Sequence, residues 1–260
     1  MKTINWTAIY VMWLREMKRF ARSKSRVVGT LAMPLMFLVF IGFGFSNMTV
    51  GGAGGASVSY IQFLVPGIVG MNLLFTSMFA GISVLWDREF GFLKEIMVAP
   101  VNRISIMLGR TAGGATTAIL QGMAILLISM LAGFKILSGS IALSILLSLA
   151  FMVLVSIAFI GLGLIFASNM KDMQGFQLIM NFIIFPLFFL SGALYQLENL
   201  PAAIRYISYA DPLTYAVDGM RGALLGLNSL PIALDIGVLA GFSLVMVFLG
   251  AYFFEKSESV

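Results

Sequence analysis

Residues 86–101 read W-D-R-E-F-G-F-L-K-E-I-M-V-A-P-V, a charged island between two long apolar runs. Asp87, Arg88, Glu89, Lys94 and Glu95 place five ionisable groups within nine positions of a chain that is 60% hydrophobic and 10% charged. Each such group held at a bilayer centre costs about 2.5–3.5 kcal/mol on insertion scales, so the segment must lie outside the hydrocarbon core. It still keeps an apolar set at helical spacing, Phe90, Leu93 and Met97, and it closes at Pro100, which disfavours continuation of a helix. The expected structure is a short amphipathic helix over 87–99 at the membrane surface, a shape suited to docking another protein.

Composition sets the frame around this island. A soluble domain carries roughly 25% charged residues. At 10% of 260 residues there are too few polar side chains to coat a water-facing surface, so an all-α polytopic membrane protein is expected. Cysteine and histidine are both absent, which excludes disulfides, thiol chemistry, His-ligated metal and His-based catalytic triads. The net charge of +5 follows membrane topology and is not a nucleic-acid signal. No cleavable signal peptide is expected, because the basic stretch before the first apolar run is long and no A-x-A-like site follows it. The G-G-A-G-G run at 51–55 has a phosphate loop's glycines but lacks the following Lys-Ser/Thr, and it reads as an external loop.

A bilayer-spanning helix needs about 20 mostly apolar residues. Six segments meet that: 27–46, 61–85, 111–134, 141–167, 175–194 and 231–254. An even number of spans puts both termini on one side. That side then holds all of the 16 Lys and Arg residues except Lys135, Arg205 and Arg221. By the positive-inside rule, both termini and residues 86–110 are cytoplasmic, in a multi-pass protein of the cell (inner or plasma) membrane.

The first 26 residues read as an interfacial helix. At 100° per residue, Trp6, Ile9, Tyr10, Trp13, Met17 and Phe20 share one face, while Arg15, Lys18, Arg19 and Arg22 take the opposite one. Trp6, Tyr10 and Trp13 are expected in lipid and the four basic residues at headgroups. The plainer alternative is a basic anchor that only sets topology. Four polar positions lie within spans two and five: Asn72, Thr76, Gln177 and Asn181. They either bond between helices or line a path. Pro66 and Pro186 are expected to bend those spans. Asp235 and Arg110 fall near span ends, where they are expected to meet headgroups, so the spans hold almost no deep ionisable group to couple to ions. Energy for transport would then come from a partner. Residues 195–230 carry apolar helical stretches at 202–209 and 215–227, broken at Asp211-Pro212, and are expected to form an external cap that re-enters the membrane.

These features resemble the type-2 ABC transporter permeases. The 86–101 stretch after span two carries the likeness. So does P-L-F-F-L-S-G-A-L-Y-Q-L-E-N-L-P-A-A-I-R-Y-I-S-Y-A-D-P-L-T-Y-A-V-D-G-M-R at 186–221, which is similar to that family's P-L-x-F-L-S-G … P-L-T-Y … R pattern. The likeness covers essentially the whole chain and is greatest to the drug-exporter-like subgroup. It implies an exporter's permease subunit with no cofactor of its own, paired as a homodimer over separate ATP-binding subunits that hold ATP and Mg. It implies a coupling helix using Asp87, Arg88, Glu89, Phe90, Gly91, Leu93, Lys94 and Glu95, with a second contact at Lys171 and Asp172. Spans two and five would line a path for an amphiphile, whether drug, lipid or lipid-linked glycan. The alternative is a non-transporting membrane scaffold or immunity-type protein.

Overall fold

Asn5 starts the first helix by accepting the Ala8 N–H at 3.1 Å, the N-cap role that short polar side chains fill well. Helix α1 (Trp6–Arg22) ends where the Ser23 hydroxyl donates back to Arg19 O at 2.8 Å. The chain then turns by 71° into α2 (Lys24–Phe37), which widens into a π-helix over Leu38–Phe43. Pro34 precedes that widening; it has no N–H to give and its ring crowds the turn behind it. The computed structural model describes residues 4–51, 57–90, 102–170 and 172–257.

A two-stranded antiparallel hairpin follows, β1 (Thr49–Gly51) with β2 (Ser57–Ser59), Val50 opposite Val58. It leads into α3 (Tyr60–Ala80) and α4 (Ile82–Glu89). The remaining helices are α5 (Arg103–Leu131), α6 (Ile141–Asn169), α7 (Met173–Leu190), α8 (Ala202–Ser208), α9 (Pro212–Leu225) and α10 (Ile232–Ser257). Among the described residues α3–α4, α5, α6, α7 and α10 are long and apolar enough to cross a bilayer, and the bent α1–α2 pair makes a sixth when its two helices are taken as one span. The chain is an all-α polytopic membrane protein.

Helices α3 and α9 form its centre. Fourteen of the 21 residues of α3 and thirteen of the 14 in α9 are buried. Lipid offers no hydrophobic drive between helices, so small residues that let backbones approach decide the packing. A Cβ at Gly81 would stand 2.6 Å from the Gly163 backbone, which brings the α3–α4 junction against α6. A Cβ at Gly161 would stand 2.7 Å from Met246 O, which brings α6 against α10. Pro66 and Pro186 do not interrupt α3 or α7; the break in span two falls at Gly81 instead. The apolar outer faces of α7 and α10, including Leu178, Phe182 and Phe248, are exposed on the periphery.

Candidate functional site

A cavity of about 610 Å³ opens between α1, α2, α3, α4, α5 and one residue of α7. Its body is aromatic and thioether: Met33, Met71, Phe75, Phe79 and Trp86. Amides and hydroxyls lie among them. Thr76 Oγ1 donates to Gln121 Oε1 at 3.2 Å, and Asn72 and Gln177 face the same space. The Asn72 amide nitrogen is buried with no hydrogen-bond partner among the described residues. The α1 end of the cavity is charged, with Glu16 and Arg19 3.8 Å apart. Three of the four polar positions expected in a path, Asn72, Thr76 and Gln177, thus converge. Asn181 does not line this space; it stands on the exposed face of α7. Sequence reasoning missed Gln121, although an amide within the apolar 111–134 run was a visible signal, and it missed Glu16 and Trp86.

Beside the cavity, α1 lies lengthwise on α5. Asn5 N donates to Ser105 Oγ at 2.9 Å and Trp13 Nε1 to Thr116 Oγ1 at 3.1 Å. Between these bonds the glycines of α5 receive α1 directly. A Cβ on Gly109 would stand 2.6 Å from Met12 Cβ, and one on Gly113 2.6 Å from Glu16 Cβ. The spacing of four puts both glycines on one helix face.

Asp87, near the end of α4, joins these elements. Its Oδ1 accepts from Arg15 Nη2 of α1 at 2.5 Å, and its Oδ2 accepts from Arg110 Nη2 of α5 at 2.6 Å. Asp87 is only 4% exposed and Arg110 is equally enclosed. Charge-assisted pairing at both oxygens lets the carboxylate remain inside the protein.

At the other end of the bundle, buried polar groups staple the 195–230 segment. Asp218 accepts the N–H groups of Ser229 and Leu230, both at 2.8 Å, and the Ser229 hydroxyl donates to Glu198 at 2.7 Å. Arg221 donates to Gly192 O at 3.2 Å, and Gln196 reaches Gly51 O of the hairpin at 2.5 Å. Asp211 caps α9 through Leu213 N at 2.9 Å, with Pro212 as the first helical residue. Burial pushes the Asp211 carboxyl up to about 8 against the pull of that backbone bond.

Several expected roles change with these positions. Asp87 turns into the chain instead of outward, because two arginines from distant segments enclose it. Arg110 does not reach toward headgroups, since its partner lies beside it. Arg15 and Trp13 likewise bond to protein, whereas Trp6 and Tyr10 stay exposed, as do Lys18 and Arg22. Asp235 does not meet headgroups either; α10 carries it fully enclosed, with neither oxygen hydrogen-bonded to a described residue. Asp172 caps α7 by accepting Gly175 N at 2.5 Å. Phe90 is 70% exposed and stacks on Trp86 at 5.4 Å between ring centres. The side chains of Arg88 and Glu89, and all of Gly91, Leu93, Lys94, Glu95 and Lys171, lie outside the described residues. Among the described residues no group of three or more carboxylates is placed to hold a metal ion.

The chain matches the family model described as ABC-2 type transporter over residues 7–225. It is 32% identical over 251 residues to the inner membrane transport permease YadH of Escherichia coli K12, covering 93% of this chain and 92% of that protein. It is 30% identical over 247 residues to nodulation protein J of Rhizobium meliloti, covering 94% and 90% of the two chains.

Proposed function

Because this chain belongs to the ABC-2 family of transporter membrane domains, we propose that it works as the permease subunit of an ATP-driven exporter, with a separate ATP-binding subunit and a second copy of itself. Family membership makes it a multi-pass inner-membrane transport permease; the finer assignment rests on the cavity. A space of about 610 Å³ that joins an aromatic and thioether body to amides and one charged end suits an amphiphile with a polar head. ATP and Mg would be held by that partner, as in other ABC systems; this sequence contains no G-x-x-x-x-G-K-[ST] phosphate loop.

Residues 87–99 would dock on that partner, Glu89 and Phe90 foremost, with Lys171 and Asp172 as the smaller contact. Support comes from the stacking of exposed Phe90 on Trp86, which itself lines the cavity. A push on the docking surface therefore has a short route to the cavity wall. The basic excess on one side supports cytoplasmic termini, with Lys18 and Arg22 at the headgroups of the inner leaflet. The exposed apolar face of α7, with Phe182 and Phe185, is available to the second copy.

Co-purification from the native membrane tests the assignment. An ATP-binding subunit should accompany the chain, and its hydrolysis should respond to amphiphiles screened in reconstituted vesicles. Glu89→Ala with Phe90→Ala should lose that partner, and Thr76→Trp should keep it but lose the response. If no ATP-binding protein accompanies the wild-type chain, the exporter reading is wrong and the scaffold reading gains.

A further inference from the structure

Three walls of the cavity belong to α1, α4 and α5. Helix α1 contributes Glu16 and Phe20, α4 contributes Ser83 and Trp86, and α5 contributes Thr117 and Gln121. All three are joined at one carboxylate, that of Asp87, which gives one oxygen to Arg15 of α1 and the other to Arg110 of α5. The glycine seam at Gly109 and Gly113 separately fixes α1 to α5. Helix α4 is only eight residues long. At its near end the Gly81 backbone rests on that of Gly163, and near its far end stands Asp87, the first residue of the proposed docking segment.

The geometry has a mechanical consequence. The enclosed pair of Asp87 and Arg110 cannot separate cheaply, because each would be left as a buried charge, and Arg15 supplies the second neutralising partner from α1. Displacement of the chain after Asp87 must therefore be shared with α1 and α5 or be resisted by them. We propose that Asp87 is the positioning residue that makes α1 and α5 move with the end of α4. Movement imposed by the ATP-binding subunit then reshapes the cavity through three walls at once. Helix α1 is a working part of the transmission and not merely a membrane anchor. This rests on the exporter reading.

The test uses the full complex in lipid nanodiscs, and the cysteine-free chain makes labelling direct. Spin labels at Lys18 and Trp86 report α1 against α4, and labels at Lys18 and Tyr252 report α1 against the peripheral α10; all three positions are exposed. Distances are compared without nucleotide and with ATP plus vanadate. In the wild type, the Lys18–Tyr252 distance should shift while Lys18–Trp86 stays constant. In D87N the Lys18–Trp86 distance should shift instead, and hydrolysis should lose its response to the stimulating amphiphile. D87E should restore the locked distance. R15Q, which keeps the Asp87–Arg110 pair and so protects the fold, should loosen the lock partly. A locked distance in both D87N and R15Q, with nucleotide-driven movement elsewhere, overturns the joint but leaves the exporter reading intact. An absence of any nucleotide-dependent shift in the wild-type complex overturns both.

Discussion

The guanidinium of Arg221 lies 3.7 Å from the centre of the Phe63 ring, so α9 is fastened to the first turn of α3 by a stacked cation. The same guanidinium donates to Gly192 O, which ties in the segment just after α7. One buried side chain thus holds the centre of the bundle to the 195–230 segment. Arg221→Lys loses the planar fork and the stacking surface together. A loss of about 1–3 kcal/mol is expected, from the stacking and the buried carbonyl left without its donor. Thermal unfolding of the single variants and the double variant with Phe63→Leu measures this. Strict additivity of the two would show that the residues are not coupled.

Asp211 should make stability depend on pH. Its folded value of about 8 stands above the ordinary 3.8, so folding favours the protonated acid. The contribution is complete below about 4 and falls away as pH rises toward about 8. Asp211→Asn keeps a good helix cap and removes the ionisation. Unfolding midpoints between pH 5 and 9 should therefore decline less in the variant. Parallel curves would place the pH dependence elsewhere.

The glycine seam predicts position-specific damage from a single methyl group. Gly109→Ala and Gly113→Ala each force α1 away from α5, with an expected cost of about 1–3 kcal/mol from overpacking. Gly241→Ala on α10 meets nothing within 4 Å and should be neutral or slightly stabilising. Release of α1 would also appear as new protease cleavage after Arg15 or Lys18. Equal behaviour of all three variants would mean that α1 is not seated as described.

Single cysteines can map the 195–230 segment. Tyr206 on α8 is 70% exposed, whereas Val217 on α9 is fully buried. A membrane-impermeant reagent applied from outside should label position 206 rapidly and leave position 217 unmodified. Labelling of both at the same rate would describe a solvated loop and remove the cap.

Much of this architecture was legible because lipid demands long apolar runs, and those runs mark the membrane-crossing helices. The break at Asp211-Pro212 was legible for a local reason, since Asp is a good cap and Pro fits the first helical position. Pairing across distance was not. Arg15 and Asp87 are 72 residues apart, and in sequence each resembles an ordinary surface charge. The third apolar run starts at 111, whereas helix α5 begins at Arg103 and carries Arg110, which pairs with Asp87. The hairpin at 49–59 was missed because three-residue strands are too short to show alternation.

The seat of α1 also fixes an order of events during synthesis. Its hydrogen-bonding partners Ser105 and Thr116 lie 100 and 103 residues further along the chain. At about 5–20 residues per second, the ribosome finishes α1 roughly 5–20 s before those partners exist. Asp87, the partner of Arg15, arrives earlier, 72 residues on, so the ion pair can form before the seat on α5 exists. Docking of α1 is therefore a late step, completed only when the third span supplies its hydrogen-bonding partners and its glycine face.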